Sequence, residues 1–313
     1  MPAATAVVTQ VPFAVEFGRP ATLALPRARE AGLQLSMPLL AGEAREALFA
    51  PVARGPVVEG LQLFTSGELL LGCVSEPVTN ERTLAQQTHE LYRRVLTAVR
   101  GHHLYRIWNY VPQINALVDG FENYRAFCQG RSLAFEAEAG AGFPRVLPAA
   151  SGVGTADHCL SLVFVAGSVT PHHCENPAQV PAYLYPLEHG PRAPSFSRAT
   201  VVRLPQHSLT FISGTAAIKG HQSVAPGDLA GQLESTLDNL RLISQAAGLA
   251  DDLGARRSLQ RHFKVYLRHV GGLKSVQERL QRSLFQPGDR VTYLQADICR
   301  AELVVEIEAM LIG

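Results

Sequence analysis

Near the end of the chain, the run Leu303-Val304-Val305-Glu306-Ile307-Glu308-Ala309 sets two carboxyls in an apolar stretch. Alternate residues of a strand share a face, so Glu306 and Glu308 point the same way. A carboxyl buried there loses hydration, which favours its protonated form and leaves an acid that still carries a proton near neutral pH. The same pattern also fits two outward-facing positions of an edge strand, and Glu302 is a weaker candidate acid. Cys299 lies shortly before Glu306, and on spacing alone it is a small core residue. His102-His103, His158-Cys159 and His172-His173-Cys174 raise the question of a metal. Adjacent strand residues point to opposite faces, and no HxH, HxxxH or CxxC spacing occurs, so no metal ligand set is expected. His207, His221 and His262 read as structural histidines.

These residues need a scaffold. A chain of 313 residues exceeds what one core usually holds and suits two packed units. With 18% charged residues and a net charge of +1, the chain does not read as a nucleic-acid-binding or disordered protein. The densest basic group, Arg256, Arg257, Arg261 and Lys264, sits at helical spacing and reads as a solvated face. The five cysteines are odd in number and unpaired in motif, so a disulfide framework is not expected. Neither a leader from Met1 to Pro12 nor an apolar run of about 18 residues is present, which predicts a cytoplasmic protein without a membrane partner.

Prolines 20, 26, 38, 51 and 56 break helices in an irregular lead-in of about 60 residues. A pattern then appears twice. Leu61–Phe64, Ser66-Gly67 and Leu69–Leu71 precede a helix over 84–99; Leu209–Ile212, Ser213-Gly214 and a short strand to Ile218 precede a helix over 228–247. Phe64-Thr65-Ser66-Gly67 aligns with Phe211-Ile212-Ser213-Gly214, and Gln87-Thr88 with Gln232-Leu233. The first copy continues with a strand over 104–110, a helix over 115–127 and strands near 160–165. The second continues with a strand over 263–270, a helix over 273–284, a strand over 290–299 and the apolar C-terminus. Two tandem α+β units follow, residues 1–150 and 151–313, packed sheet edge to sheet edge, with the Pro-rich 140–200 region as a wall of the site.

Phe211-Ile212-Ser213-Gly214, Leu237-Asp238-Asn239-Leu240 and Val305-Glu306-Ile307-Glu308-Ala309 resemble the RidA (YjgF) family, with the first copy degenerate. Longer segments resemble the chorismatases, a two-copy elaboration of that fold. They are Arg106–Tyr110, Phe127–Arg131, Pro148–Gly154, Phe196–Thr200, Ser213–Ala216, Lys219-Gly220-His221 and Asp297–Arg300.

The resemblance implies a RidA-like α+β fold in a pseudo-trimer-like arrangement of the two units, and chorismate as substrate. It implies cofactor-independent release of pyruvate, with 3-hydroxybenzoate as the preferred second product and 4-hydroxybenzoate possible. A hydrolytic chorismatase forming a dihydroxycyclohexadiene carboxylate and a RidA-like enamine or imine deaminase are the alternatives. A third reading is a catalytically dead protein that senses a small aromatic acid. Glu306 takes the place of the family's catalytic acid, and a cysteine at 299 marks the hydroxybenzoate-forming types. Two substrate carboxylates call for guanidinium forks; Arg131 and Arg198 lie in the matching segments, with Arg145 and Arg192 in reserve. Tyr183 and Tyr185 are expected to wall the ring, and Gly214 and Thr215 to let backbone amides approach the ligand. No metal, cofactor or nucleic acid is implied, and two fused copies suggest a monomer.

Overall fold

The computed structural model describes residues 8–9, 12–18 and 31–313, so Pro20 and Pro26 lie outside the described residues. The first unit comprises β1 (Val52–Val58), β2 (Leu61–Ser66), β3 (Leu69–Pro77), α1 (Leu84–Ala98), β4 (His103–Pro112), α2 (Asn123–Ala139), β5 (Ala149–Thr155) and β6 (Cys159–Gly167). The second comprises β7 (His172–Cys174), β8 (Ala199–Arg203), β9 (Ser208–Ala216), α3 (Leu229–Ala246), β10 (Gln260–Leu267), α4 (Leu273–Ser283), β11 (Arg290–Gln295) and β12 (Val305–Ile312).

The two sheets have one topology. The first runs β1-β2-β3-β6-β4-β5 and the second β7-β8-β9-β12-β10-β11. In both, the strand after the second helix pairs parallel with the strand before it, and the last strand enters the middle antiparallel to its neighbours. The duplication therefore holds, but one part of its expected register does not. Phe64-Thr65-Ser66-Gly67 closes β2, whereas Phe211-Ile212-Ser213-Gly214 lies inside β9, whose counterpart is β3. Gln87 and Gln232 do correspond, each at the fourth position of its helix.

Sheet membership puts the change of unit after Gly167, later than residue 150, because β5 and β6 both hydrogen-bond into the first sheet. The second helix begins at Asn123 rather than 115. Gln113, Asp119 and Gly120 have positive φ, and Leu117–Val118 pairs with Phe121–Glu122 in a hairpin. The lead-in forms its own sheet of Phe13–Phe17, Gly32–Leu35 and Arg45–Phe49, while Leu39–Ala41 extends the edge of the second large sheet beside β11.

The large sheets also meet differently from expectation. Their inner faces stack, with Phe64, Leu71, Trp108 and Val163 against Leu209, Phe211, Tyr266 and Met310 in one core. Aromatic and β-branched residues dominate that contact, and Trp108 meets Phe211 edge-on at 6.3 Å between ring centroids. The helices cover the two outer faces. Edge contacts are present in addition, through β5: the Ala149 amide donates to Thr200 Oγ1 at 2.8 Å and the Ala150 amide to Ser213 Oγ at 2.8 Å. These side-chain acceptors satisfy the outer edge of β5 and fix it against the second unit.

The capping box of Thr83 and Gln86 starts α1. Gly130 then lets α2 approach it, since a Cβ there would stand 2.1 Å from the Ala85 carbonyl oxygen. The predicted basic face does not exist. Arg256 and Arg257 sit exposed in a turn, but Arg261 and Lys264 lie on β10 and are buried against Asp289 and Glu46. Their burial became possible only because distant carboxylates pair with them.

Candidate active site

Where β9 ends and β12 begins, a cavity of about 190 Å³ opens between the units. Glu122, Tyr124 and Arg125 contribute from the first unit; Tyr185, His189, Phe196, Arg198, Gly214, Cys299, Arg300, Glu302 and Glu306 contribute from the second. A larger cavity of about 700 Å³ lies at the opposite end of these strands, between Phe49, Leu69, Leu209 and Ile312. It contains none of the predicted site residues.

Glu306 is buried on β12, opposite Ala216 of β9 and Tyr266 of β10. The β9–β12 register shifts between Ile212 and Thr215, and this irregularity brings Gly214 against the carboxyl. A Cβ at 214 would stand 2.0 Å from Glu306 Oε1, so the close approach requires glycine. Oε1 is buried and has no hydrogen-bond partner in the protein. Burial, reinforced by the charge of Glu308, raises this carboxyl to about 8 against the opposing pull of Arg106 and Arg198. Glu306 is thus a protonated acid at neutral pH.

Glu308 has the opposite fate two residues on. Burial alone would protonate it, but Lys264 and Arg106 overcome that effect and hold it down at about 2. Lys264 Nζ lies 2.9 Å from Oε1, Arg106 Nη2 donates to Oε2 at 2.8 Å, and Trp108 Nε1 donates to Oε1 at 2.7 Å. Lys264 also pairs with Glu46 of the lead-in at 2.7 Å. Two carboxyls on one strand face are therefore split into one neutral acid and one fixed anion.

Arg198 is buried in the cavity wall, where its Nη2 donates to Tyr185 Oη at 2.7 Å and its guanidinium lies 5.0 Å over the Phe196 ring. Arg300 joins it, held by Ser223 Oγ at 3.0 Å and stacked 5.4 Å from the Tyr185 ring. Among the described residues neither guanidinium has a carboxylate oxygen within 4 Å; the half-buried Glu175 carboxyl interacts with Arg198, and both cations remain available to an anionic ligand. Cys299 lines the same cavity from the loop after β11, not from the strand that the sequence predicts there. Burial and then Glu306 push its thiol up to about 12, so it is a neutral S–H group.

Several expected residues are elsewhere. Arg131 does not line the cavity; it is buried on α2 over the rings of Tyr92 and Phe135. Tyr183 packs in the first unit's helix-side core, whereas Tyr185 is in the cavity. The short 3₁₀ turn Ala182–Leu184 separates the two rings. Thr215 turns its hydroxyl to the Ser213 carbonyl at 2.8 Å. Arg192 pairs with Glu136 outside the cavity, and Glu302 is exposed at its rim, accepting from Ser223 Oγ. Arg300, Tyr124 and His189 are not singled out by the sequence as site residues, and Lys264 is placed there on a solvated face. The Asp297–Arg300 segment contained the signal for Arg300, although nothing in it distinguished that guanidinium from a surface one.

The fold and cavity define a duplicated α+β protein with a buried, proton-bearing carboxyl facing two guanidinium groups. Residues 51–166 match the family model described as chorismatase FkbO/Hyg5-like, N-terminal. A 3-hydroxybenzoate synthase of Streptomyces hygroscopicus is 38% identical over 264 residues, covering 80% of this chain and 76% of that protein. A chorismatase of the same organism is 40% identical over 240 residues, 72% of this chain and 67% of the relative. A crystal structure of a chorismatase superposes with a TM-score of 0.81 at 30% identity, covering 96% of this chain and 93% of the other. The chain belongs to the chorismatase family and shares the duplicated α+β fold of that crystal structure.

Proposed function

We propose that this enzyme converts chorismate to pyruvate and 3-hydroxybenzoate. The observation that carries the reading is the buried Glu306 carboxyl, free of protein donors at Oε1, in a cavity with Arg198 and Arg300. Glu306 delivers its proton to the terminal methylene carbon of the enolpyruvyl ether, and an oxocarbenium ion develops at the ether carbon. The ring C4 hydroxyl oxygen then displaces pyruvate at C3 and loses its own proton, which restores the acid. The resulting arene oxide opens to the phenol, with loss of the C3 hydrogen as a proton. No water enters, so the two products together contain the atoms of the substrate. Arg198 and Arg300 hold the two carboxylates, and Tyr185 and Phe196 flank the ring.

The neutral thiol of Cys299 keeps this side of the cavity free of a fixed anion that would stabilise a water-derived pathway. The 3-hydroxybenzoate synthase among the relatives supports the product assignment. Both walls of the cavity come from a single chain, which supports a monomeric enzyme. The free cysteines suit a reducing cytoplasm. Among the described residues no helix is long and apolar enough to cross a membrane.

Incubation with chorismate, followed by chromatography, should yield pyruvate and 3-hydroxybenzoate in equal amounts. Absence of both products would overturn the assignment. Cys299→Ala should divert the product toward the dihydroxy diene or stop benzoate formation, and an unchanged product ratio would remove Cys299 from the account. Gly214→Ala forces the Glu306 carboxyl aside, so kcat should fall by about ten- to a hundredfold while the melting temperature changes little. Full turnover in that variant would mean that the close approach of Gly214 is not needed.

A further inference from the structure

At the cavity mouth, the Pro-rich wall contributes Glu188 and His189, and the tight hairpin Ile218–Ser223 contributes His221. His189 Nε2 lies 3.0 Å from His221 Nδ1, and Glu188 Oε1 lies 3.3 Å from each nitrogen. We propose that these three residues form a binding site for a divalent transition metal, zinc or cobalt in class, which clasps the wall to the hairpin.

The donor arithmetic carries the argument. Three polar atoms converge on one another, and their contacts cannot all be hydrogen bonds. A proton on His189 Nε2 directed at His221 Nδ1 leaves the second nitrogen's lone pair facing the carboxylate oxygen. A proton on both nitrogens sets two N–H groups against each other. A cation at the centre satisfies all three lone pairs together. The dimensions are close as well: metal–ligand bonds of about 2.0–2.2 Å in tetrahedral geometry place donor atoms about 3.3–3.6 Å apart, so the two 3.3 Å separations match and the 3.0 Å pair of nitrogens need only open slightly. Two imidazoles and one carboxylate leave a fourth position for water or ligand, as in open zinc sites.

A supporting shell is in place. Gln222 Nε2 donates to Glu188 Oε1 at 3.2 Å, and the Tyr185 ring packs 5.3 Å from His189 and 6.3 Å from His221 between ring centroids. Both histidines are largely shielded, while Glu188 is open to solvent and gives an ion a way in. Arg125 and Arg300 lie close enough to oppose a cation, and the Glu188 carboxylate offsets them. No histidine spacing in the sequence shows this site, since its two nitrogens come from segments 32 residues apart. The site borders the cavity, whose wall includes both His189 and Tyr185, and the chemistry proposed above assigns no step to its three ligands.

The test is titration of the full-length protein with Co²⁺, followed by calorimetry and by the visible d–d absorption of the bound ion. One Co²⁺ per chain is expected, with no thiolate charge-transfer band in the near ultraviolet. His221→Ala should lower affinity at least a hundredfold, and so should Glu188→Gln, an exposed substitution that leaves folding intact. Failure of the wild-type protein to bind Co²⁺, a thiolate band that assigns the ion to a cysteine, or undiminished binding by Glu188→Gln would each overturn the proposal.

Discussion

Replacing Glu306 by Gln is expected to lower kcat for pyruvate release by about 10²–10⁴-fold while KM for chorismate changes little. The amide keeps the shape of the carboxyl and the Gly214 contact but has no proton to give. Binding should persist because Arg198 and Arg300 are untouched. In the wild-type enzyme kcat should be level on the acid side and fall by about tenfold per pH unit above about 8, where Glu306 ionises. Stability carries the same signature with its sign fixed by the raised value. The folded state holds a proton that the unfolded chain releases above 4.5, so rising pH erodes stability between about 4.5 and 8. Glu306→Gln lacks that slope, and its melting temperature should gain on the wild type as pH rises through this window. Stopped-flow detection of pyruvate and calorimetric melts across pH check both outcomes. Undiminished turnover in the variant would remove Glu306 as the acid.

Glu306 was legible because strand chemistry is local: an apolar run with two alternating carboxyls announces a buried face. What separates 306 from 308 was not legible. That difference comes from Arg106 and Trp108 in the first unit and from Lys264, which is anchored by Glu46 of the lead-in, 218 residues away in sequence. The basic group containing Lys264 was misread for the same reason, since helical spacing carries no information about a distant carboxylate. Arg131 shows the complementary difficulty: it does not line this cavity, although its Nε and Nη2 are buried without a protein partner. A guanidinium beside a glycine in a family-like segment fits a ligand fork, but Gly130 serves the close crossing of α1 and α2, and the side chain one position on lies over Tyr92 and Phe135. The duplicated α+β order was readable from two matching rises and falls in hydrophobicity. Its register was not, because Ser-Gly pairs end a strand in one copy and sit inside a strand in the other. Stacking of the sheets face to face follows from β4, whose residues from Leu104 to Pro112 are buried on both faces.

The anion at 308 gives the second large effect. Glu308→Gln leaves Arg106 and Lys264 buried with one carboxylate, Glu46, between them, and loss of one member of such a cluster costs about 3–5 kcal/mol. Because the folded-state value of Glu308 is depressed to about 2, its contribution is complete above 4.5 and is lost as pH falls through about 2. The gap in melting temperature between wild type and variant should therefore be widest near neutral pH and close in acid. Function should shift in the direction set by charge. With the neighbouring anion gone and two cations less compensated, the ionised form of Glu306 becomes easier to reach, and the alkaline fall in kcat should begin at lower pH than in the wild type. At neutral pH the variant then holds less of the protonated acid, so it is slower there and recovers as the medium is made more acidic, where a mere loss of packing would slow it equally at every pH. A folded Glu308→Gln whose pH profile superposes on the wild type would mean that burial alone keeps the proton on Glu306, and that the Arg106–Glu308–Lys264–Glu46 chain only holds the lead-in against the second sheet.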